Sequence, residues 1–182
     1  MHQNVMSPLP RFLLDKGVLR HSLRGLRNVA RGRSMTAEQQ SALTLLLHAP
    51  SGSLCGSREA LNLVRMYAPG ALGAFVTQRL QVLTPTRYQR RWRRRLRQRF
   101  GVGREDAHQV ALASFGVDET GQQFGADYFV TFDLRLMQRC HNSHADITRY
   151  LQRMTCQLAM PYRHAELPEV LTPQTVLARF LP

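Results

Sequence analysis

The chain is 182 residues long, with 43% hydrophobic and 20% charged residues, which suits a single globular domain with a real core. Its formal net charge is +13 with a pI near 11.2. That surplus predicts a polyanionic partner, because each cation set against a phosphate releases condensed counterions. Cys55, Cys140 and Cys156 stand far apart with no Cys/His cluster, which argues against structural zinc and for free thiols in a reducing, cytoplasmic setting. The first ten residues lack the basic and apolar pattern of a secretory leader, and no apolar run reaches membrane-spanning length, so no membrane contact is expected.

In chain order, Phe12-Leu13-Leu14 is a short uninterrupted apolar run, as in a central strand covered on both faces, and it ends at Asp15. A basic helix is expected over 18–33, with Leu19, Leu23, Leu26 and Ala30 on one side. Thr36 suits the cap of a second helix over 37–48. A second strand is expected near 53–56, and Ser57 suits the N-cap of a helix over 58–66. A short helix over 71–79 and a strand over 80–83 follow.

From Arg87 to Phe100 the chain reads RYQRRWRRRLRQRF. Tyr88, Trp92, Leu96 and Phe100 fall four apart and give a helix with one apolar face. Another helix opens at Glu105-Asp106 and reaches about Ser114, followed by a loop over 116–125. Tyr128-Phe129-Val130-Thr131 reads as a strand ending at Asp133. Helices are expected from Asp133 to about His141 and over 146–158, then a short strand over 170–173 and a helix over 174–180. Strands alternating with helices predict a three-layer α/β/α sandwich around a mostly parallel sheet of four to five strands. One domain is expected over 1–182, with a basic helix at about 87–100 and a C-terminal helical extension at about 146–182.

The chain holds only twelve acids, and none lies between Glu59 and Glu105. Asp15 and Asp133 each follow a predicted strand, and in an open α/β sheet such positions line the functional crevice. Glu59 and Asp106 lie in first helical turns that can face the same end. Packed carboxylates raise one another's pKa, and a divalent cation relieves that repulsion. Oxygen-only donors favour Mg²⁺ or Mn²⁺, which suit hydrolysis of a phosphodiester. Taken singly, each acid also has a bland reading, as a helix-terminus acid or a solvated loop residue. Asp127 is expected at the opposite end of its strand, and Asp118 and Glu119 rank second.

At these residues the chain resembles the PIN domain family, which includes VapC-type toxins. The resemblance rests on Phe12-Leu13-Leu14-Asp15 with Val18-Leu19, on Ser57-Arg58-Glu59-Ala60-Leu61-Asn62, on the Ala-rich helix opening at Asp106, and on Gly125-Ala126-Asp127-Tyr128-Phe129-Val130-Thr131-Phe132-Asp133. Val170-Leu171-Thr172-Pro173 closes the ordered set. The resemblance implies a metal-dependent endoribonuclease with Asp15, Glu59, Asp106 and Asp133 as catalytic metal ligands. Thr131 would orient Asp133 by hydrogen bonding. It also implies homodimers. Lys16 and Gly17 depart from the small hydroxylated and polar pair usual after the first aspartate.

Arg87, Arg90, Arg91, Arg94, Arg95 and Arg97 are the expected nucleic-acid contacts, on charge alone. An acidic protein such as an antitoxin tail would satisfy the same charges. Trp92 reads as core rather than as a base-stacking platform. The leading function is RNA cleavage, with DNA as a further substrate class because phosphate contacts do not read the sugar. The alternative is a catalytically weak or inactive PIN-like module that binds RNA or a protein, and Lys16 favours it. A role as the toxin half of a toxin–antitoxin pair is compatible with the first reading.

Overall fold

The computed structural model describes residues 9–121 and 124–181. Five strands, β1 (Phe12–Leu14), β2 (Leu54–Ser57), β3 (Gln81–Leu83), β4 (Tyr128–Val130) and β5 (Glu169–Leu171), form one sheet in the order β3-β2-β1-β4-β5. Every pairing is parallel. The helices are α1 (Lys16–Ala30), α2 (Ala37–His48), α3 (Arg58–Tyr67), α4 (Ala71–Gln78), α5 (Arg87–Phe100), α6 (Arg104–Phe115), α7 (Leu134–Asn142), α8 (His144–Thr155) and α9 (Pro173–Phe180).

The central strand explains the layering. Phe12, Leu13 and Leu14 are all buried, and successive side chains on a strand point to opposite faces. Phe12 and Leu14 join a core with residues of α1 to α4 and α9. Leu13 joins the core on the other face, with residues of α5 to α8. The outcome is the three-layer α/β/α sandwich that the alternation of elements predicts.

Differences from the expected boundaries have local causes. Helix α1 starts at Lys16 rather than Val18, because Asp15 takes the cap position and its carboxylate accepts the Lys16 amide at 2.7 Å. Strand β2 runs on through Ser57, which then caps α3 by accepting the Ala60 amide at 3.1 Å. In the segment expected as a loop, Val117 bridges to both Thr84 and Phe124. Gly125 there sits at φ 68°, and a Cβ would fall 2.8 Å from the Ala113 carbonyl, so glycine is required. In the segment from 146 onward, β5 is a strand of the sheet and α9 packs against α2, so these residues complete the layers.

Helix α5 packs along α6 through Gln89, Trp92 and Leu96, all buried. Trp92 is 0% exposed and lies nearly parallel to Tyr150, centroids 6.2 Å apart. It is core, with no face left for a base. Trp92→Ala is expected to cost about 3–5 kcal/mol of stability, measured as a shift in the urea unfolding midpoint. A loss below about 1 kcal/mol would mean that the indole is not packed in this way.

Candidate functional site

The site begins at the seam between β1 and β4. Leu14 pairs with Val130, and the Asp15 amide donates to the Val130 carbonyl at 3.0 Å. Both chains therefore leave the sheet at the same level, one into Asp15 and the other into Thr131 and Asp133. Thr131 is buried, and its hydroxyl donates to Asp15 Oδ2 at 3.3 Å while accepting the Asp133 amide at 3.1 Å. It was expected to orient the Asp133 carboxylate. Instead it holds the Asp133 backbone and the Asp15 side chain, tying the two acids' positions together. The Asp133 carboxylate caps α7, accepting the Arg135 and Leu136 amides at 2.9 and 3.0 Å.

Asp106 comes from a third direction, in the first turn of α6. Gly103 sits against it so closely that a Cβ would fall 2.8 Å from Asp106 Oδ2. Burial raises its pKa, and the charges of Asp133, Asp15 and Glu105 raise it further against the pull of Arg139. Burial also raises Asp15, opposed by the Lys16 and Gly17 amides, the Thr131 hydroxyl and the Lys16 ammonium.

Glu59 is exposed at the rim. Burial pushes its carboxyl up, but its own backbone amide, the Ser57 hydroxyl, His108 and Lys16 together outweigh this and hold it below its ordinary value. His108 Nε2 lies 3.9 Å from Glu59 Oε1. The Gln89 amide nitrogen donates to the His108 carbonyl at 3.3 Å and faces its Nδ1 at 3.0 Å. That arrangement makes Nδ1 an acceptor and assigns the proton to Nε2, toward Glu59. Burial lowers the His108 pKa, and Arg93 and Lys16 lower it further against Glu59.

The fold thus brings Asp15, Asp106 and Asp133 within electrostatic reach of one another at the carboxyl end of the sheet, with Glu59 at the rim beside His108. Among the described residues no group of three or more His, Cys, Asp or Glu side chains is gathered tightly enough to hold an ion. The donor chemistry suits a hard divalent cation, and the mutual repulsion at Asp106 is what such an ion would relieve.

Three neighbours escape the sequence reading. Glu105 adds to the charge on Asp106 and pairs with Lys16 at 3.7 Å; its signal is only adjacency to Asp106. His108 is one helical turn beyond Glu105 and Arg104, on the face toward Glu59, and Arg93 reaches its Nδ1 at 3.5 Å. Asp127 stands at the opposite end of β4, where its carboxylate accepts the Arg11 amide at 2.7 Å. Asp118 accepts the Thr120 hydroxyl at 2.9 Å, and neither it nor Glu119 is among the carboxylates that act most on Asp106. Arg87, Arg90, Arg91, Arg94 and Arg97 are exposed on α5 and Arg95 is half-buried. No helix among the described residues is long and apolar enough to cross a membrane. No family model, curated protein or solved structure matches the chain.

The raised pKa of Asp106 has a thermodynamic sign. Between its unfolded and folded values the folded state binds more protons, so stability falls as pH rises through that window. At neutral pH the ionised carboxylate therefore costs stability, and Asp106→Asn removes the cost. The variant should melt above wild type at pH 7, and the difference should vanish as pH falls below the ordinary carboxylate range. Thermal unfolding between pH 3 and 7 checks this; a variant that melts below wild type at pH 7 contradicts it.

Proposed function

We propose that the chain is a PIN-like, divalent-metal-dependent endoribonuclease whose site is built on Asp15, Asp106 and Asp133, with Glu59 at its rim. The observation that carries this reading is the convergence of three carboxylates, from the ends of two neighbouring strands and one helix, at the carboxyl end of the sheet, where Asp15 and Asp133 raise the proton affinity of Asp106. Mg²⁺ or Mn²⁺ is the fitting ion, and when bound it would supply charge neutralisation and an activated water for attack on phosphorus. RNA is the substrate that the family resemblance implies; DNA shares the same phosphate chemistry.

The chain's own residues have distinct tasks in this reading. Thr131 fixes the distance between the two strand ends by bonding both Asp15 and the Asp133 backbone. The α7 cap holds one Asp133 oxygen and sets the direction of the carboxylate. Lys16 and Arg139 lower the charge that the crevice presents to an arriving phosphate. A toxin acting in the cytoplasm, held by an acidic antitoxin and assembled as a homodimer, is the biological role that this chemistry suits.

A second reading has one observation in its favour. Lys16 places an ammonium among the acids, 3.7 Å from Glu105, and a resident cation competes with a metal. The chain would then be a non-catalytic module that binds RNA or a protein.

Cleavage of a labelled RNA pool in Mn²⁺, Mg²⁺ or EDTA separates the two. The nuclease reading expects metal-dependent cuts, a loss on the order of 100-fold in folded Asp133→Asn, and about 10–100-fold in Thr131→Val, as for groups that orient a ligand. Wild type that binds RNA in a salt-sensitive way yet cuts nothing in any metal establishes the binding module.

A further inference from the structure

The arginines of α5 are not an even coat. Arg90, Arg93, Arg94 and Arg97 are spaced i, i+3, i+4 and i+7, so they share one edge of the helix. Arg93 shows which way that edge faces, because its guanidinium reaches His108 on α6. The ladder spans about 10 Å along the helix axis, from seven residues at 1.5 Å each. At its far end, where α5 turns into α6, lies a cleft of about 380 Å³ lined by Arg94, Arg97, Gln98, Val102 and Arg104. The turn that floors it, Gly101-Val102-Gly103, is braced by Arg139, which donates to the Gly101 carbonyl. Gly103 abuts Asp106, so the cleft lies beside the Asp106 carboxylate.

We propose that this cleft is a phosphate-binding groove for a single nucleic-acid strand, leading its backbone along the α6-facing edge of α5 to Asp106. Its direction toward Asp106 rests on the nuclease reading; its capacity to bind a strand does not. Three features select this occupant. Arg94, Arg97 and Arg104 are exposed, and among the described residues the ion pairs of arginine involve only Arg149 and Arg179. Like charges at Arg90 and Arg94, and at Arg93 and Arg97, repel across one turn, which an anion lying over them relieves. The lining holds no exposed aromatic or aliphatic anchor, since Val102 is 4% exposed, whereas protein partners bind through such anchors. The cleft is of a size to seat a short stretch of sugar–phosphate backbone. The groove also recruits a contact from outside the arginine run, Arg104 on α6.

The test uses the whole chain in EDTA and a fluorescent, unstructured single-stranded RNA, with binding followed by anisotropy across a salt series. The variant Arg94→Ala/Arg97→Ala/Arg104→Ala is compared with Arg24→Ala/Arg27→Ala/Arg31→Ala, which removes the same charge from exposed positions at α1 and its C-cap in the other layer. The groove predicts that the first variant lowers the slope of log affinity against log salt by about 2, from three phosphate contacts at about 0.7 each on a single strand. The second variant should leave the slope unchanged. Equal slopes in all three proteins, or equal losses in both variants, overturn the proposal in favour of a diffuse basic surface. Tighter binding of polyglutamate than of RNA, lost with the groove arginines, overturns it in favour of an acidic protein. Loss of slope with a wild type that never cuts removes the nuclease reading and keeps the groove. An unchanged slope with intact cleavage removes the groove and keeps the nuclease.

Discussion

Repulsion among the carboxylates of half-buried Asp15 and Asp106 and exposed Asp133 is the constraint around which the carboxyl end of the sheet is arranged. Asp15 cannot move away, because it is both the end of the fully buried strand β1 and the cap of α1. Asp133 is pinned in the same way, since its backbone is held by Thr131 and its side chain by the first amides of α7. Asp106 enters from α6 and meets both. Helix caps on the two strand-end acids thus concentrate negative charge at the carboxyl end of two neighbouring interior strands, and the nearby cations read as partial answers to it. Lys16 reaches Glu105 and Arg139 opposes the rise at Asp106, while the neutral ring of His108 faces Glu59.

Outside the crevice the problem is inverted. Helix α5 carries eight arginines and no acid, and its apolar side is committed to packing under α6 and α8. The arginines are held on a rigid element by Trp92 and Leu96, which keeps their spacing regular. A buried tryptophan that serves only packing is therefore still a functional residue in one sense: it fixes the row of charge above it. Arg179 shows the contrast, since its guanidinium is matched to the Glu169 carboxylate at 2.8 Å and leaves little charge to offer a ligand.

The layers and most element positions were legible in the sequence because they follow from short-range patterns. Three consecutive apolar residues before Asp15 gave the central strand, and spacing of four gave the buried face of α5. The site was legible in part: Asp15 and Asp133 end paired parallel strands, as their positions demanded. Side-chain pairings were not legible, because they depend on register and layer thickness. The diversion of Glu59 to His108 requires knowing that α3 and α6 come together at that end, which no local pattern encodes. The true partner of the Thr131 hydroxyl was hidden for a related reason. Its nearest acid in sequence is Asp133, but the β1–β4 register brings the side chain of Asp15 to it across 116 positions of chain.

In the proposed reading these two charge problems have one joint solution. A strand of nucleic acid lying along α5 would neutralise the arginine row, yet its phosphates would be repelled on reaching Asp106 and its neighbours. A divalent cation would neutralise the acids, yet it is attracted to a protein of net charge +13 only by that local cluster. Each ligand weakens the obstacle to the other: the phosphates lower the positive field that opposes the cation, and the cation removes the negative field that opposes the phosphates. In the proposed reading, cation and strand therefore bind with positive coupling, and by thermodynamic reciprocity the strand must raise the affinity for the cation by the same factor that the cation raises the affinity for the strand.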